Sequence, residues 1–456
     1  MQNSRARCGI VPPFLLQHLV SSGDADLADH ARRTLLRDSV LRARPARPAG
    51  PATPSAAAAP SALHRSIHDA HHRATLPGAL VRDEGGPASG DEAVDQAYDG
   101  LGDTWRLYDE VFGRSSIDGN GLPLVASVHY EQGYDNAFWN GAQMVFGDGD
   151  GTIFLGFTRS LDVIGHELTH GVTESTAGLT YRGQPGALNE SISDVFGSLV
   201  KQHALGQSAD QADWLIGADL LAPGVQGVAL RSMKAPGTAY DDPRLGRDPQ
   251  PADMAGYVET TDDNGGVHIN SGIPNRAFHL VATAIGGNAW EAPGRIWYDV
   301  LTGSAIRPDC DFATFARLTA EAAAARFGDG SGEVQAVRQA WQTVGVSSAA
   351  TVPAPTGPTP GPTPGPADDL TVRRTGGFGG LVRERTLRFD DLPDEDASRW
   401  QELVAGDRLA RLADAPTHPD AFCYGVRCDA VRLDVTIPEP ALEADLRDLF
   451  ERTLTR

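Results

Sequence analysis

Two short segments carry residue types and spacings suited to metal chemistry. The first is the run HELTH at 166–170, and the second is the run NESISD at 189–194. Side chains four residues apart share one face of an α-helix, so His166 and His170 can both offer a ring nitrogen to one ion. Glu190 is spaced to supply a third ligand. Two imidazoles and one carboxylate are a donor set typical of catalytic zinc, so we predict a zinc site here.

A catalytic zinc ion with three protein ligands keeps its fourth position for water, whose pKa falls from ~15.7 to about 7 on binding. Glu167 lies next to the first ligand and is placed to collect the proton of that water. A bare H-E-x-x-H also arises by chance on amphipathic helices, so the second segment is decisive. Helical spacing of apolar residues after Asn189 predicts a second core helix that presents Glu190 and Asp194 one turn apart. Asn189 and Asp194 are suited to accept the outer N–H groups of the two histidines.

Three longer segments resemble the thermolysin family of metallopeptidases: SLDVIGHELTHGVTESTAGLTY, GALNESISDVFGSLV and DNGGVHINSGIPN. Within that family the similarity is greatest to protealysin-like precursors, and it covers about residues 76–347. It implies an α+β fold with a β-rich N-terminal lobe at 76–178 that ends with the His166 helix, a helical C-terminal lobe at 179–347, and a zinc cleft between them. The implied activity is a zinc-dependent endopeptidase that cleaves before hydrophobic residues.

The resemblance also assigns roles to residues outside the two zinc segments. His268 and Tyr181 match the donors that stabilise the oxyanion of the tetrahedral intermediate, and Asp263 matches the residue that holds the His268 ring. The substrate-binding positions of the family fall on Asn136, Ala137, Phe154, Val163, Leu230 and Arg231. Buried apolar residues are more often plain core, and an arginine fork commonly serves an internal carboxylate, so packing and ion-pair roles stay open for four of these six.

Thermolysin carries a double calcium site beside its active-site helix, and this chain keeps only part of it. Asp162, Asp194 and Asp213 stand at matching positions, whereas Lys201 and Ala218 stand where acidic ligands are expected. A lysine ammonium is repelled by a site for a hard cation. Calcium therefore stays possible, but we expect the double site to be incomplete.

The N-terminal run CGIVPPFLLQHL resembles the short propeptide of protealysin-like precursors, which implies that residues 1–75 are a removable inhibitor and its linker. Residues 45–62 are rich in proline and alanine and poor in large apolar side chains, so they should be accessible to cleavage. We expect maturation between residues 45 and 90. Cys8 has the chemistry to bind zinc as a thiolate, although a lone cysteine is more often a small buried hydrophobe.

The same N-terminal stretch bears on export. Its arginines precede an apolar run, but Pro12, Pro13 and His18 interrupt that run, and no convincing small-residue cleavage site follows. The sequence therefore predicts no signal peptide. The expected location is cytoplasmic, or extracellular after release by a non-classical route.

A Pro/Gly/Thr-rich linker at 348–367 precedes a separate α+β domain at 368–456. We predict strands at 370–374, 381–389 and 431–437, a helix near 398–404 and an amphipathic last helix. The segments TVRRTGGFGG and FCYGVRC are similar to emfourin, an inhibitor of protealysin-like enzymes. The resemblance implies an inhibitor tethered to its own enzyme, which raises its local concentration to roughly millimolar. A target-binding module and an inactive appendage are the alternatives.

Net charge and hydropathy limit the classes of partner that this chain can bind. A net charge of -21 over 456 residues disfavours nucleic acid and anionic membranes, and no apolar run is long enough to span a bilayer. Peptides or proteins, the propeptide and the C-terminal domain are the partners that we expect. Four cysteines are too few for a disulfide framework, although Cys423 and Cys428 are close enough in sequence to pair. The rival to an endopeptidase is a catalytically silent, zinc-stabilised scaffold for protein interactions, which would need neither Glu167, His268 nor Tyr181.

Overall fold

The computed structural model of the chain describes residues 9–43, 62–347, 368–375, 383–405, 408–413, 422–431, 433–442 and 444–455. These residues belong to two compact units, one within Gln2–Ala350 and one within Thr351–Arg456. The expectations for Cys8, for the linker at 348–367 and for nearly all of the linker at 45–62 concern residues outside the described ranges.

The N-terminal segment is a helical hairpin that belongs to the first unit. Helix α1 is Pro13–Val20 and helix α2 is Ala25–Ala43. Proline at the first helical position suits α1, because its missing N–H would have no partner in the helix anyway. The leucines of α1 are fully buried, as is Ile10 just before it. The hairpin therefore packs as part of the core that it shares with the following lobe.

A five-stranded mixed sheet forms the first lobe. Its strands are β1 (Arg65–Arg73), β2 (Ala79–Asp83), β3 (Leu124–Tyr130), β4 (Ala137–Trp139) and β5 (Met144–Phe146). The spatial order is β2-β1-β3-β5-β4, so β4 lies at an edge of the sheet. Strand β1 pairs in parallel with β3, which places residues 65–73 in the sheet although the propeptide and linker were predicted to extend to residue 75.

Helices surround this sheet and build the second lobe. Helix α3 is Glu92–Arg106 and continues as a π-helical turn at Leu107–Val111. The remaining helices of this unit are α4 (Leu161–Ser175), α5 (Gly183–Leu205), α6 (Asp263–Asn270), α7 (Gly272–Ile285), α8 (Ala292–Thr302), α9 (Phe312–Phe327) and α10 (Gly332–Thr343). Two-residue strands complete it: β6 (Leu215–Ile216), β7 (Arg231–Ser232), β8 (Asp241–Asp242) and β9 (Gly246–Arg247).

The close approach of α4 and α5 positions the zinc segments. A side chain at Gly197 of α5 would place its Cβ only 2.3 Å from the Asp162 carbonyl oxygen of α4, so glycine is required there. Helix α5 ends at Leu205 and is capped by Gly206, whose left-handed φ of 63° suits a glycine. The two helices therefore lie near enough for short side chains of one to reach the ligands of the other.

The C-terminal unit has its own sheet and core. Its strands are β10 (Asp369–Thr375), β11 (Arg383–Arg388), β12 (Cys423–Cys428) and β13 (Leu433–Pro438), all antiparallel in the order β11-β10-β12-β13. Its helices are α11 (Asp394–Ala405), α12 (Arg408–Ala413) and α13 (Ala444–Thr455). Trp400, Tyr424 and Phe450 are buried together in its centre.

The disulfide that the sequence allows between Cys423 and Cys428 does not form in the structure. Both are free thiols, and they stand at opposite ends of the single strand β12. Five residues of extended chain separate their Cα atoms by roughly 16 Å, far beyond the ~7 Å that a disulfide spans. Closeness in sequence therefore does not bring these sulfur atoms together.

Across the described residues, no helix is both long and apolar enough to cross a bilayer.

Candidate active site

The three predicted zinc ligands converge between α4 and α5. One ligand atom from each of His166, His170 and Glu190 lies within 4.8 Å of the others, and all three residues are buried. The two histidine Nε2 atoms are 3.1 Å apart, and each lies 3.5 Å from an oxygen of Glu190. Glu190 Oε2 is buried and accepts no hydrogen bond from any described residue. A cation between these atoms would satisfy that oxygen, so the donor set fits zinc.

The outer nitrogens of both histidines are held by the residues predicted for that task. His166 Nδ1 lies 2.8 Å from Asp194 Oδ1, and His170 Nδ1 lies 2.9 Å from Asn189 Oδ1. Because these oxygens accept, each Nδ1 carries the hydrogen and each Nε2 keeps its lone pair for the ion. Burial lowers the pKa of both imidazoles to about 4, so both are neutral at pH 7, as metal binding requires.

Asp194 is shared between the histidine and an arginine. Arg231 donates to it through two nitrogens, from Nε to Oδ2 at 2.9 Å and from Nη2 to Oδ1 at 2.8 Å. Although burial opposes ionisation, Arg231 and His166 hold the pKa of Asp194 below its ordinary value. Asn275, which the sequence did not single out, donates to the same carboxylate at 2.8 Å. Arg231 therefore forms an internal ion pair with Asp194, in addition to the substrate-binding role that the resemblance assigns to it.

Glu167 is oriented by the edge of the sheet. The backbone N–H of Trp139 in β4 donates to Glu167 Oε2 at 3.0 Å, and Glu167 is fully buried. No local sequence pattern indicates this contact, because it joins a helix to a strand 28 residues away. It fixes the direction of the carboxylate that follows the first zinc ligand.

His268, Tyr181 and Asp263 also come together at the ligands. His268 Nδ1 lies 2.6 Å from Asp263 Oδ1, and the same carboxylate accepts the His268 backbone N–H at 2.8 Å. The opposite ring nitrogen, Nε2, lies 3.3 Å from the Tyr181 hydroxyl and 3.5 Å from Glu190 Oε2. The Tyr181 hydroxyl also donates to Glu190 Oε1. Both predicted oxyanion donors therefore face the same ligand.

The residues predicted to align substrate backbone instead hold the backbone of the N-terminal segment. Ile10 N donates to Ala137 O at 3.1 Å, and Val11 N donates to Asn136 Oδ1 at 3.0 Å. Asn136 Nδ2 returns a bond to Val11 O at 3.3 Å. Arg231 Nη1 donates to Ile10 O at 3.2 Å. An extended peptide thus lies against edge strand β4 in the manner of an added strand.

Gly9 makes the closest approach of this peptide. It forms an antiparallel bridge to Phe138, and a Cβ at Gly9 would lie 2.5 Å from the Asn136 side chain. Ile10 is fully buried. It belongs to the same apolar cluster as three predicted pocket residues, which are Phe154, Val163 and Leu230.

The partial calcium site contains a lysine. Lys201 Nζ lies 3.1 Å from Asp162 Oδ2 and 2.9 Å from Asp213 Oδ2. Although burial opposes it, these two carboxylates raise the pKa of Lys201. The third predicted remnant of that site, Asp194, binds His166 and Arg231 instead. An ammonium group therefore neutralises the two aspartates where a cation would be expected.

Comparison with known protein families defines the class to which this chain belongs. Family profiles described as "Thermolysin metallopeptidase, catalytic domain" and "Thermolysin metallopeptidase, alpha-helical domain" match residues 58–174 and 177–346. A third profile, "Emfourin", matches residues 372–454. The chain belongs to the thermolysin family of zinc metallopeptidases, with an emfourin domain at its C-terminal side.

Individual relatives agree with this. The chain is 54% identical over 344 residues to an "Extracellular metalloprotease" of Pectobacterium carotovorum subsp. carotovorum, covering 75% of this chain and 97% of that protein. It is 42% identical over 288 residues to "Thermolysin" of Alicyclobacillus acidocaldarius subsp. acidocaldarius, covering 61% of this chain and 50% of that protein. The solved structure "Precursor of Protealysin, Metalloproteinase from Serratia proteamaculans" matches with 54% identity and a TM-score of 0.69, covering 75% of this chain and all of that one.

These names correct one expectation. The predicted cytoplasmic location conflicts with relatives named extracellular, including an "Extracellular minor metalloprotease" of Serratia marcescens that is 46% identical, and it is wrong. That prediction came from the N-terminal apolar run, which lacks the features of a signal peptide. In the structure that run is α1, whose leucines pack into the core, so its apolar pattern serves folding and gives no information on export.

Proposed function

We propose that this metalloendopeptidase is made as a precursor in which Gly9–Val11 occupies the substrate position, and that the mature enzyme cleaves peptide bonds before hydrophobic residues. The observation that carries the proposal is the binding of Ile10 by Arg231 and Ala137 beside the three zinc ligands. A peptide held by the same groups in the same extended form would bring a carbonyl to the site.

The chemistry divides among residues of this chain. When bound, zinc supplies a Lewis acid that polarises a carbonyl and lowers the pKa of water. Glu167, held by the Trp139 N–H, takes the proton of the attacking water and delivers it to the departing amine. His268 and Tyr181 donate to the oxyanion as it forms, each with an effect of about 3 kcal/mol by analogy with measured oxyanion holes. Asp263 fixes the His268 ring so that Nε2 faces that oxygen.

The propeptide role follows from competition for one set of hydrogen-bonding groups. Arg231, Asn136 and Ala137 cannot bind a substrate while they bind residues 10 and 11. Latency then requires an intact chain between the helical hairpin and strand β1. We therefore place the maturation cleavage in the Pro/Ala-rich residues before Arg65, since a cut within β1 would remove a sheet strand.

Glu167→Ala tests the catalytic assignment. The variant should keep its zinc, lose peptide hydrolysis by about 10²–10⁴-fold, and accumulate as the full-length precursor. Turnover of a quenched peptide with a leucine after the scissile bond, measured with zinc content on the same sample, checks both. Glu110→Ala is a matched control, because it removes another glutamate that is exposed and lies 3.9 Å from the His203 ring. Unchanged turnover in Glu167→Ala would favour a silent scaffold or another base.

For the C-terminal domain we propose inhibition of the enzyme to which it is tethered, supported by the emfourin match at 372–454. A matured chain that ends at residue 347 should then turn over substrate faster than a matured chain that keeps residues 368–456. Dilution should not relieve the difference, since the tether sets the local concentration. Equal rates would favour a target-binding module.

A further inference from the structure

A second cluster of metal-binding groups joins the propeptide hairpin to the catalytic unit. One ligand atom from each of His30, Asp135 and Asp150 lies within 4.8 Å of the others, the same spacing that the three zinc ligands satisfy. His30 comes from α2, whereas both aspartates come from loops that flank strands β4 and β5. The cluster is separate from the zinc ligands, and the catalytic mechanism uses none of its residues.

Asp135 shows why this cluster needs a cation. Its side chain is fully buried, and neither carboxylate oxygen has a hydrogen-bond partner among the described residues. Burial raises the pKa of Asp135 well above its ordinary value, and the charge of Asp150 raises it further. The Asp150 backbone N–H and Arg33 oppose this shift, but neither reaches an oxygen of Asp135 in hydrogen-bonding geometry. A buried carboxylate left in this state is costly unless a cation or a proton compensates it.

Asp150 presents one oxygen toward the cluster from a rigid support. Its Oδ1 accepts three backbone N–H groups at 2.7 to 3.0 Å, from residues 152, 153 and 154. Its Oδ2 is buried and has no partner among the described residues. The turn that holds Asp150 therefore leaves a fixed, unsatisfied acceptor beside Asp135.

The position of His30 is set by the docking of α2. Thr34, one turn later, accepts the Asp135 backbone N–H at 3.1 Å. Asp38, one further turn on, accepts the Tyr134 hydroxyl at 2.5 Å and Asn136 Nδ2 at 3.0 Å. Residues 30, 34 and 38 share one face of the helix, so the same face that grips the loop also presents His30.

We propose that His30, Asp135 and Asp150 form a second divalent-metal site, selective for a zinc-class ion, that ties the propeptide helix to the catalytic unit in the precursor. An imidazole nitrogen with carboxylate oxygens suits zinc better than calcium, which takes oxygen ligands alone. Cleavage and release of the propeptide remove His30 and leave two carboxylates. The second ion is therefore a property of the precursor and is lost on maturation.

Zinc counting on the full chain tests this. A Glu167→Ala background keeps the chain unprocessed, and native mass spectrometry after dialysis against buffered Zn²⁺ should find two ions per chain. Adding His30→Gln should reduce the count to one, whereas His18→Gln, an exposed histidine of α1, should leave two. Asp150→Asn is a second route to one ion, since asparagine keeps the Oδ1 that accepts the three N–H groups.

The outcomes separate the two sites. One ion in the Glu167→Ala precursor that survives His30→Gln overturns the second site, because a proton then compensates Asp135. Two ions in His30→Gln overturn it as well. One ion that His30→Gln removes would keep the second site and contradict zinc binding by His166, His170 and Glu190. Added Zn²⁺ should also raise the melting temperature of the precursor more than that of its His30→Gln form.

Discussion

Helices α4 and α5 neutralise buried carboxylates in two different ways along their shared length. In the first, His166, His170 and Glu190 converge, and Glu190 Oε2 has no hydrogen-bond partner among the described residues, so this arrangement requires an exchangeable ion. In the second, Lys201 of α5 lies against Asp162 of α4, and its ammonium group supplies the positive charge from the chain itself. One helix pair thus contains a site that depends on metal and a site that does not.

An ion is needed for function at the first of these sites, whereas at the second a positive charge serves only stability. A zinc ligand set must leave a position for water, which no side-chain ammonium can replace. A buried aspartate in a structural site needs only a compensating charge and a hydrogen bond. Lys201 provides both to Asp162, so this part of the fold should be independent of calcium although the family resemblance includes a double calcium site.

Metal removal gives the largest expected effect. A zinc-selective chelator such as 1,10-phenanthroline should reduce peptide hydrolysis to the background rate, and added Zn²⁺ should restore it. A calcium-selective chelator should change neither the hydrolysis rate nor the melting temperature, because Lys201 takes the place of the ion. A drop in melting temperature that calcium reverses would contradict the comparison, and calorimetry on the matured enzyme measures it.

Lys201→Glu should convert the metal-independent arrangement around Asp162 into one that requires a metal ion. Without calcium the variant leaves three carboxylates together, one of them fully buried, and we expect a loss of about 3–5 kcal/mol in the free energy of unfolding. Millimolar calcium should restore about 2–3 kcal/mol of this, as expected for a ligand at about 100 times its dissociation constant.

Lys234→Glu is the matched control for this experiment. Lys201 and Lys234 are the two lysines of the chain, and Lys234 is exposed. Its replacement makes the same change of charge without burying a carboxylate. An equal loss of stability in both variants, or no response of Lys201→Glu to calcium, would show that the position of Lys201 is not a latent cation site.

The parts of the site that the sequence predicts are those whose contacting residues lie close together along the chain. The zinc ligands and their partners Asn189 and Asp194 lie within 29 residues (166 to 194), on two helices whose periodicity is visible in the sequence. The hydrogen bond between Asn136 and Val11 joins residues 125 positions apart, and the one between Arg231 and Ile10 joins residues 221 positions apart. No local sequence pattern encodes either contact. The resemblance assigns Asn136 and Arg231 to the backbone of a substrate, and in the structure they bind the backbone of the N-terminal segment.

Elements without a strong local pattern were missed. Helix α12 has six residues, too few for a helical period to be recognised, and strand β12 mixes glycine and arginine with its apolar residues. Strand β1 is rich in histidine and arginine, and its place in the sheet comes from pairing with β2 and β3 on either side. In each case tertiary pairing outweighs a weak local preference.

The smallest effect concerns a side-chain cation that can lose its charge. His129 lies between Asp148 and Asp91, with ring nitrogens 2.9 and 3.0 Å from their oxygens, and its side chain is 20% exposed. The hydrogen bond to Asp148 raises the pKa of His129 to about 9, with Asp91 adding to the effect against burial. Because this pKa lies above the unfolded value of about 6.5, the stabilisation is complete below pH 6.5 and is lost as the pH rises through 9.

Lys201 keeps its charge over that window, so the two side-chain cations should differ in pH dependence. Between pH 6 and pH 9.5 the unmodified protein should lose about 1–2 kcal/mol more unfolding free energy than His129→Gln, after allowance for solvent screening. His203→Gln, a partly exposed histidine 3.9 Å from Glu110, is the control and should keep the full pH dependence. Denaturant unfolding at the two pH values gives the numbers, and identical slopes for His129→Gln and the unmodified protein would remove His129 as a charge-compensating group.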